Sequence, residues 1–293
     1  MLARANPQFN MLSLANRIQP QGGELGSARK HLLTVRRRLA SSFDVSRVVP
    51  IGSHSRGAAI RWYSDVDVMA VLRRNEVKWG GNVISSATLL QKVRDDLQDR
   101  YVNTQVRRDG QAVVVGFAGG QQSLDVVPAL FDRLDKLRPV YAIPDGGGGW
   151  LQSSPDAHNR FIATAVARSG GKLRKVIQLL RWWKCSRIHP VPINSFYLDL
   201  VLGDSGICVG VKQYTFCLYE AFKLLAGRQC RGIRDPVGIA GTVYSAQTEA
   251  QAETLNDAVG FALSHARAAI IAEAAKDFAE SNRQWSVVFN GQF

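Results

Sequence analysis

The spacing of apolar residues lays out the elements. Leu32, Leu33, Val35 and Leu39 recur at helical intervals in a stretch that Ser27 can cap, which predicts an amphipathic helix over 27–43 with Arg36, Arg37 and Arg38 partly solvated. Val48, Val49 and Ile51 then form a short strand running into Gly52-Ser53; a brief helix follows, and 65–72 reads as a buried strand. Helical spacing returns over 82–101. Three further strands are predicted over 102–108, 112–117 and 123–129, separated by turns at Asp109-Gly110 and Gly119-Gly120. Beyond Pro155 the period is helical throughout, over 156–167, 172–185, 195–202, 213–225 and 248–280.

A sheet-rich part is thus followed by a helical one. Pro144-Asp-Gly-Gly-Gly-Gly-Trp150 is the expected boundary, because four glycines in a row hold no regular element cheaply. This gives two domains, 1–150 and 151–293.

Composition sharpens the picture by exclusion. With 293 residues, 46% hydrophobic and 21% charged, the chain can bury a real core and is neither disordered nor fibrous. No apolar run reaches a membrane span and the first residues do not follow the plan of a signal peptide, so a cytoplasmic location without membrane partners is expected. The net charge of +13 points to polyanionic partners, meaning nucleotides, nucleic acid or anionic lipid. The excess is spread along the chain, with 21 basic against 13 acidic residues up to 150 and 16 against 11 after it, so no basic tail explains it. Cys185, Cys208, Cys217 and Cys230 form no CxxC pair and read as reduced core thiols.

The chemistry concentrates around Gly52-Ser53-His54-Ser55-Arg56-Gly57 and the following Ser64-Asp65-Val-Asp67-Val68. Residues two apart on a strand share a face, so Asp65 and Asp67 project together from an otherwise apolar segment. Two carboxylates that close repel unless a cation lies between them. Mg²⁺, which takes a few carboxylates and fills its shell with phosphate oxygens, resolves the conflict and implies a nucleotide-phosphate substrate. Asp125, in Ser123-Leu-Asp-Val-Val-Pro128, interrupts another apolar strand; if the two strands are neighbours, three carboxylates can hold two metals for in-line phosphoryl transfer. The glycine turn offers backbone N–H groups and the Ser53 hydroxyl to phosphates.

The Gly52-Ser53 pair, the Asp65-Val-Asp67 pair and the later Leu-Asp125-Val-Val-Pro resemble the DNA polymerase beta-like nucleotidyltransferases. Tyr141-Ala-Ile-Pro-Asp145, Trp150-Leu-Gln-Ser-Ser-Pro155, His158, Leu179-Leu-Arg-Trp-Trp-Lys184, Pro192-Ile-Asn-Ser-Phe-Tyr197 and Asp235-Pro-Val-Gly238 are similar to one branch of them. That branch is the bacterial cGAS/DncV-like nucleotidyltransferases (CD-NTases), cyclic oligonucleotide synthases of CBASS antiphage defence. The resemblance implies an α+β fold: a polymerase beta-like mixed sheet core plus a helical, oligoadenylate-synthase-like C-terminal domain, bilobed, with the active site between the lobes.

It also implies roles. Asp65, Asp67 and Asp125 become the catalytic ligands of two Mg²⁺ ions, with Mn²⁺ an alternative, and Asp125 lies nearest the attacking hydroxyl. Gly52 and Ser53 hold the donor triphosphate. The family's helix lysine and next-helix serine on that triphosphate fall at Arg181 and Ser195; arginine keeps the charge but changes the geometry, so Lys184 is a second candidate. Phe196 or Tyr197 stacks on a base, and Asp235 lies near the nucleobase. The family's Gly-Thr is Gly57-Ala58 here. Implied partners are nucleoside triphosphates and a downstream cyclic-nucleotide effector, in a bacterial cytoplasm. A regulatory partner of HORMA or ubiquitin-transfer type and a nucleic-acid activator stay open, the ubiquitin-transfer type because the ending Asn290-Gly-Gln-Phe293 is bulky.

Two other readings also stay open: a nucleotidyltransferase acting on an RNA end or a protein without cyclisation, and a catalytically silent basic nucleic-acid-binding module. Other features take plain readings. Trp182 and Trp183 with Leu179 and Leu180 read as helix core. His54 reads as loop decoration, and the remaining histidines lack metal-ligand spacing. Gly203-Asp-Ser-Gly206 reads as a helix-end turn, and Gly170-Gly-Lys172 lacks the glycine and hydroxyl residue of a P-loop.

Overall fold

The computed structural model describes residues 6–80, 82–117 and 122–293. The expected Gly119-Gly120 turn lies outside them. In chain order the elements are α1 (Pro7–Arg17), α2 (Gly22–Ser42), β1 (Val45–Pro50), α3 (Gly52–Ser55), β2 (Val66–Leu72), β3 (Lys78–Trp79), β4 (Asn82–Val83), α4 (Ser86–Arg100), β5 (Gln105–Asp109), β6 (Ala112–Gly116), β7 (Leu124–Asp135), β8 (Arg138–Pro144) and β9 (Trp150–Ser153). Then come α5 (Pro155–Arg168), α6 (Lys172–Cys185), α7 (Ser195–Ser205), α8 (Tyr214–Gly227), β10 (Ile233–Arg234), β11 (Thr242–Val243), α9 (Glu249–Ala274) and α10 (Phe278–Val288). No helix among the described residues is long and apolar enough to cross a membrane.

Residue contacts divide the chain into two units, Pro20–Arg160 and a second made of Phe161–Phe293 with the residues before Pro20. The division thus falls after Arg160, past the expected position 150. The reason is local: the glycine run is the connection of a β8–β9 hairpin, in which Asp145 accepts the N–H groups of Gly147 at 2.7 Å and Gly149 at 2.9 Å. The N-terminal segment joins the later unit because α1 is a helix that sequence periodicity missed. Asn6 caps it by accepting the Gln8 N–H at 2.9 Å, Pro7 opens it, and it buries Met11, Leu14 and Ala15.

The first unit is built on a seven-stranded mixed sheet ordered β1-β2-β7-β6-β5, with β8 on β7 and β9 on β8. Only β2 and β7 run parallel; the other pairs are antiparallel. This is the expected α+β mixed sheet. β7 is longer than the predicted 123–129 strand because its second half finds β8 as a new partner. Alternation along β2 separates two faces. Val66, Val68, Ala70 and Leu72 pack with Ala28, Val35 and Leu39 of α2 and Leu89, Leu90, Val93 and Leu97 of α4. Met69 and Val71 face the other way and meet Ala129 and Tyr141. α2 starts at Gly22, ahead of the predicted Ser27, because Glu24 reaches back to accept the Gln21 N–H at 2.8 Å. Of its basic cluster, Arg36 and Arg37 are exposed, while Arg38 pairs with Asp96 of α4 at 2.6 Å.

The second unit is helical. Trp183, Tyr197 and Phe222 are fully buried, and Trp182 is 5% exposed, so the tryptophan pair is core as its apolar company predicted. Cys208, Cys217 and Cys230 are buried thiols and Cys185 is half-buried. The predicted helix 248–280 is two helices, broken where Lys276 takes a left-handed φ of 60° and Asp277 caps α10 by accepting the Glu280 N–H at 3.0 Å.

Candidate active site

Parallel pairing of β2 with β7 makes Asp67 and Asp125 direct Cα partners. Asp65 immediately precedes β2 on the same face as Asp67, so three carboxylates stand at one end of the face that carries Met69, Val71 and Ala129 farther along. Ser123 ties two of them together: its hydroxyl donates to Asp65 Oδ1 at 2.6 Å and to Asp125 Oδ1 at 3.4 Å, while its carbonyl accepts the Val66 N–H at 3.0 Å.

The electrostatics follow from this crowding. Burial pushes the Asp125 carboxyl up to about 7, and the charges of Asp65 and Asp67 add to the effect against the opposing Ser123 hydrogen bond. The sheet register also brings a cation that sequence reasoning missed. Arg107 of β5 pairs with Val114 of β6, which pairs with Asp125, so Arg107 shares the cross-strand row of Asp125 and Asp67. Asp109, by its hydrogen bond and charge, followed by Asp125 and Asp65, holds the Arg107 guanidinium above its ordinary value. Two-strand register is not written in any local motif, so nothing in the sequence marked Arg107.

Gly52 is fixed by two constraints. Its φ is +65°, and a Cβ built there would lie 1.9 Å from Asp67 Oδ2. The backbone turn after β1 therefore presses on the carboxylate, a contact only glycine permits. Next to it the Ile51 N–H donates to the Asp67 carbonyl at 2.9 Å, carrying the β1–β2 ladder up to the turn. Ser53 follows on the short α3 and is 7% exposed.

Among the described residues, no group of three or more His, Cys, Asp or Glu closes into a cage able to hold a metal by itself. The donor set nonetheless fits Mg²⁺ in its chemistry. All the donors are hard carboxylate oxygens, Mg²⁺ keeps only one or two carboxylates and completes its octahedron with water and phosphate, and a cation relieves the repulsion that raises Asp125.

In the helical unit the structure sorts the expected nucleotide contacts. Lys184 Nζ donates to Ser195 Oγ at 3.3 Å, bringing two of them together between α6 and α7. Burial, joined by the charge of Arg181, lowers the Lys184 ammonium below its ordinary value. Arg181 is committed elsewhere: its guanidinium meets both oxygens of Asp199 at 2.8 Å, with side chains 7% and 0% exposed. Asn194 caps α7 by accepting the Phe196 N–H at 2.9 Å, which leaves Phe196 half-buried and sends Tyr197 into the core. Tyr197 thus offers no face to a base. Asp235, expected beside a nucleobase, spends its carboxylate on the backbone, accepting N–H groups from Val237, Ile239 and Ala240 at 2.8–2.9 Å.

Residues 6–165 match the Second Messenger Oligonucleotide or Dinucleotide Synthetase domain. The chain belongs to this family. One relative, the cyclic AMP-AMP-AMP synthase of Escherichia coli strain MS 115-1, is 26% identical over 198 residues, covering 64% of this chain and 59% of that protein. A probable cyclic nucleotide synthase of Bacillus cereus strain VD146 is 21% identical over 276 residues, covering 84% of this chain and 82% of its own length. Among solved structures, the E. coli MS115-1 CdnC with ATP superposes with a TM-score of 0.76 at 20% identity, over 99% of both chains. The Bradyrhizobium diazoefficiens CD-NTase CdnG with GTP gives 0.72 at 13% identity, over 97% of this chain and 98% of that one. At these identities the structural likeness is one of fold. It agrees with the mixed sheet expected from the resemblance to the CD-NTases.

Proposed function

We propose that this synthetase joins nucleoside triphosphates, releases pyrophosphate and closes a cyclic di- or trinucleotide second messenger. The observation that carries the reading is Asp67 paired in register with Asp125, with Gly52 pressed against Asp67. In the reaction, a ribose 2′- or 3′-hydroxyl oxygen attacks the α-phosphorus of a second nucleotide. The new P–O bond forms as the bond to the β-phosphate bridge breaks, and pyrophosphate leaves with that electron pair. A final, intramolecular round closes the ring, as the second step for a dinucleotide and as the third for a trinucleotide.

Asp65, Asp67 and Asp125 are proposed to hold Mg²⁺, two ions per site. When bound, the metal supplies charge neutralisation to the phosphates and lowers the pKa of the attacking hydroxyl. The chain's own carboxylates then divide the work. Asp125 is proposed to lie nearest the attacking hydroxyl and to help remove its proton. Ser123 orients Asp65 and Asp125 through its bifurcated hydrogen bond. Gly52 and Ser53 are proposed to contact triphosphate. Pro20–Arg160 is accordingly the catalytic unit, and the helical unit is proposed to bind nucleotide through Lys184 and Ser195, with Phe196 against a base. Arg181 and Asp235 are proposed to serve there as supports, the first paired with Asp199 and the second bonded to backbone N–H groups.

The finer assignments follow the family resemblance and the relatives. The E. coli relative bears the name of a cyclic trinucleotide synthase, and a structure of that CdnC is a complex with HORMA. We propose a regulatory partner of that kind here, a cyclic-nucleotide-responsive effector downstream, and a role in antiphage defence in the bacterial cytoplasm. The direct test of the catalytic reading is pyrophosphate release from the four nucleoside triphosphates with Mg²⁺. The expected result is release by the intact protein and none by Asp67→Asn; equal release by both would overturn it.

A further inference from the structure

The turn between α3 and β2 holds an aromatic residue in a conformation that aromatic residues avoid. Trp62 has a φ of 69°. Among the described residues, the other non-glycine positions with positive φ lie at the two-residue β7–β8 turn or just past the ends of α8, α9 and α10, where such a conformation is routine. For a bulky side chain it is an outlier, and outliers of this kind gather at functional sites. The turn is pinned at both ends. The Ile60 N–H donates to Ser64 Oγ at 2.8 Å and the Ser64 N–H donates to the Ile60 carbonyl at 3.2 Å, with Ile60 2% and Ser64 8% exposed.

This anchoring pushes the middle of the turn outward. Trp62 is 57% exposed and Tyr63 47% exposed, and the carboxylate of Asp65 follows only three residues after Trp62. Arg61, held by Glu24 at 3.0 Å, lies over the Trp62 ring with its guanidinium carbon 4.7 Å from the centroid, which fixes the indole's orientation. Glu24 is itself fixed, because its other oxygen takes the Gln21 N–H. A strained, oriented and exposed indole three residues before Asp65 is suited to stacking, and every nucleobase offers it a planar face.

We infer that Trp62 is a base-stacking residue: its indole receives the nucleobase of a nucleotide whose phosphates are handled at Asp65 and Asp67. The inference rests on the nucleotidyl-transfer reading of that site. It assigns to the α3–β2 turn a share of substrate affinity that comes from the base and not from the phosphates.

The test separates those two shares. Binding of non-hydrolysable ATP and GTP analogues, and of inorganic tripolyphosphate, is measured with Mg²⁺ for the intact protein and for Trp62→Ala, Trp62→Gly and Trp62→Phe. Nucleotide affinity is expected to fall roughly 5- to 100-fold in Trp62→Ala and Trp62→Gly and to recover largely in Trp62→Phe. Tripolyphosphate affinity should be unchanged in all three. Trp62→Gly should melt no lower than the intact protein, since glycine adopts the left-handed backbone without strain. Unchanged nucleotide affinity in Trp62→Gly, with the intact protein binding normally, would overturn the stacking role alone, as would a parallel loss of tripolyphosphate binding. Failure of the intact protein to bind any of the nucleotides would overturn the nucleotidyl-transfer reading together with it.

Discussion

Arg181 and Asp199 form a buried ion pair between α6 and α7 in which Nη2 donates to both carboxylate oxygens, and one turn along the same two helices Lys184 donates to Ser195. The two contacts look alike and do different work. The first uses up its charge inside the protein; the second leaves an ammonium with spare donors beside a hydroxyl.

Substitution should separate them. Asp199→Ala strands a buried guanidinium and is expected to cost about 3–5 kcal/mol of stability by urea unfolding. Lys184→Ala should change stability by no more than about 1 kcal/mol, because it removes a desolvated ammonium, yet weaken nucleoside triphosphate binding about 10- to 100-fold. The opposite pattern would make Arg181 the ligand residue.

The raised Asp125 carboxyl predicts a pH signature in metal-free protein. A carboxyl at about 7 when folded and near 3.8 when unfolded binds a proton more tightly in the folded state, so its contribution is greatest at low pH and is lost as pH rises from about 4 to about 7. Asp125→Asn removes that loss. In EDTA the variant should be more stable than the intact protein by on the order of 2 kcal/mol at pH 8, with the gap closing towards pH 4. Mg²⁺ should narrow the gap at pH 8 by stabilising the intact protein selectively. Denaturation curves that stay parallel across this range would contradict the account.

Gly52→Ala tests the contact with Asp67. A methyl group there meets the carboxylate head-on and forces a left-handed backbone on alanine. A stability loss of about 1–3 kcal/mol is expected, with turnover down by about 100-fold because the carboxylate moves. Normal turnover in a folded Gly52→Ala protein would show that the close approach has no part in the chemistry.

Much of this was legible in the sequence. Alternation over Asp65, Val66, Asp67 and Val68 put both carboxylates on one face before any pairing was known, and an isolated acid in the apolar run around Asp125 marked the third. What the sequence withheld depends on register and on competition between partners. Arg107 joins the carboxylate row only through two strand pairings, β5 with β6 and β6 with β7. Arg181 reads from the sequence as a triphosphate contact, and its ion pair with Asp199, the acid among the buried residues in the middle of α7, is not visible there. The glycines at 146–149 looked like a linker because local composition cannot show that Asp145 folds them into a hairpin connection. α1 was missed because its cap, Asn6 followed by Pro7, precedes only a weakly periodic run whose partners lie in α6, α8 and α10.

The central claim is that the Asp65, Asp67 and Asp125 face makes a cyclic nucleotide. The most direct measurement is a mass spectrum of the products formed from all four nucleoside triphosphates with Mg²⁺, taken after phosphatase digestion, for the intact protein and for Asp65→Ala/Asp67→Ala. The intact protein is expected to give a phosphatase-resistant cyclic di- or trinucleotide and the variant none. A linear, phosphatase-sensitive product, or the same product from both proteins, would contradict that claim.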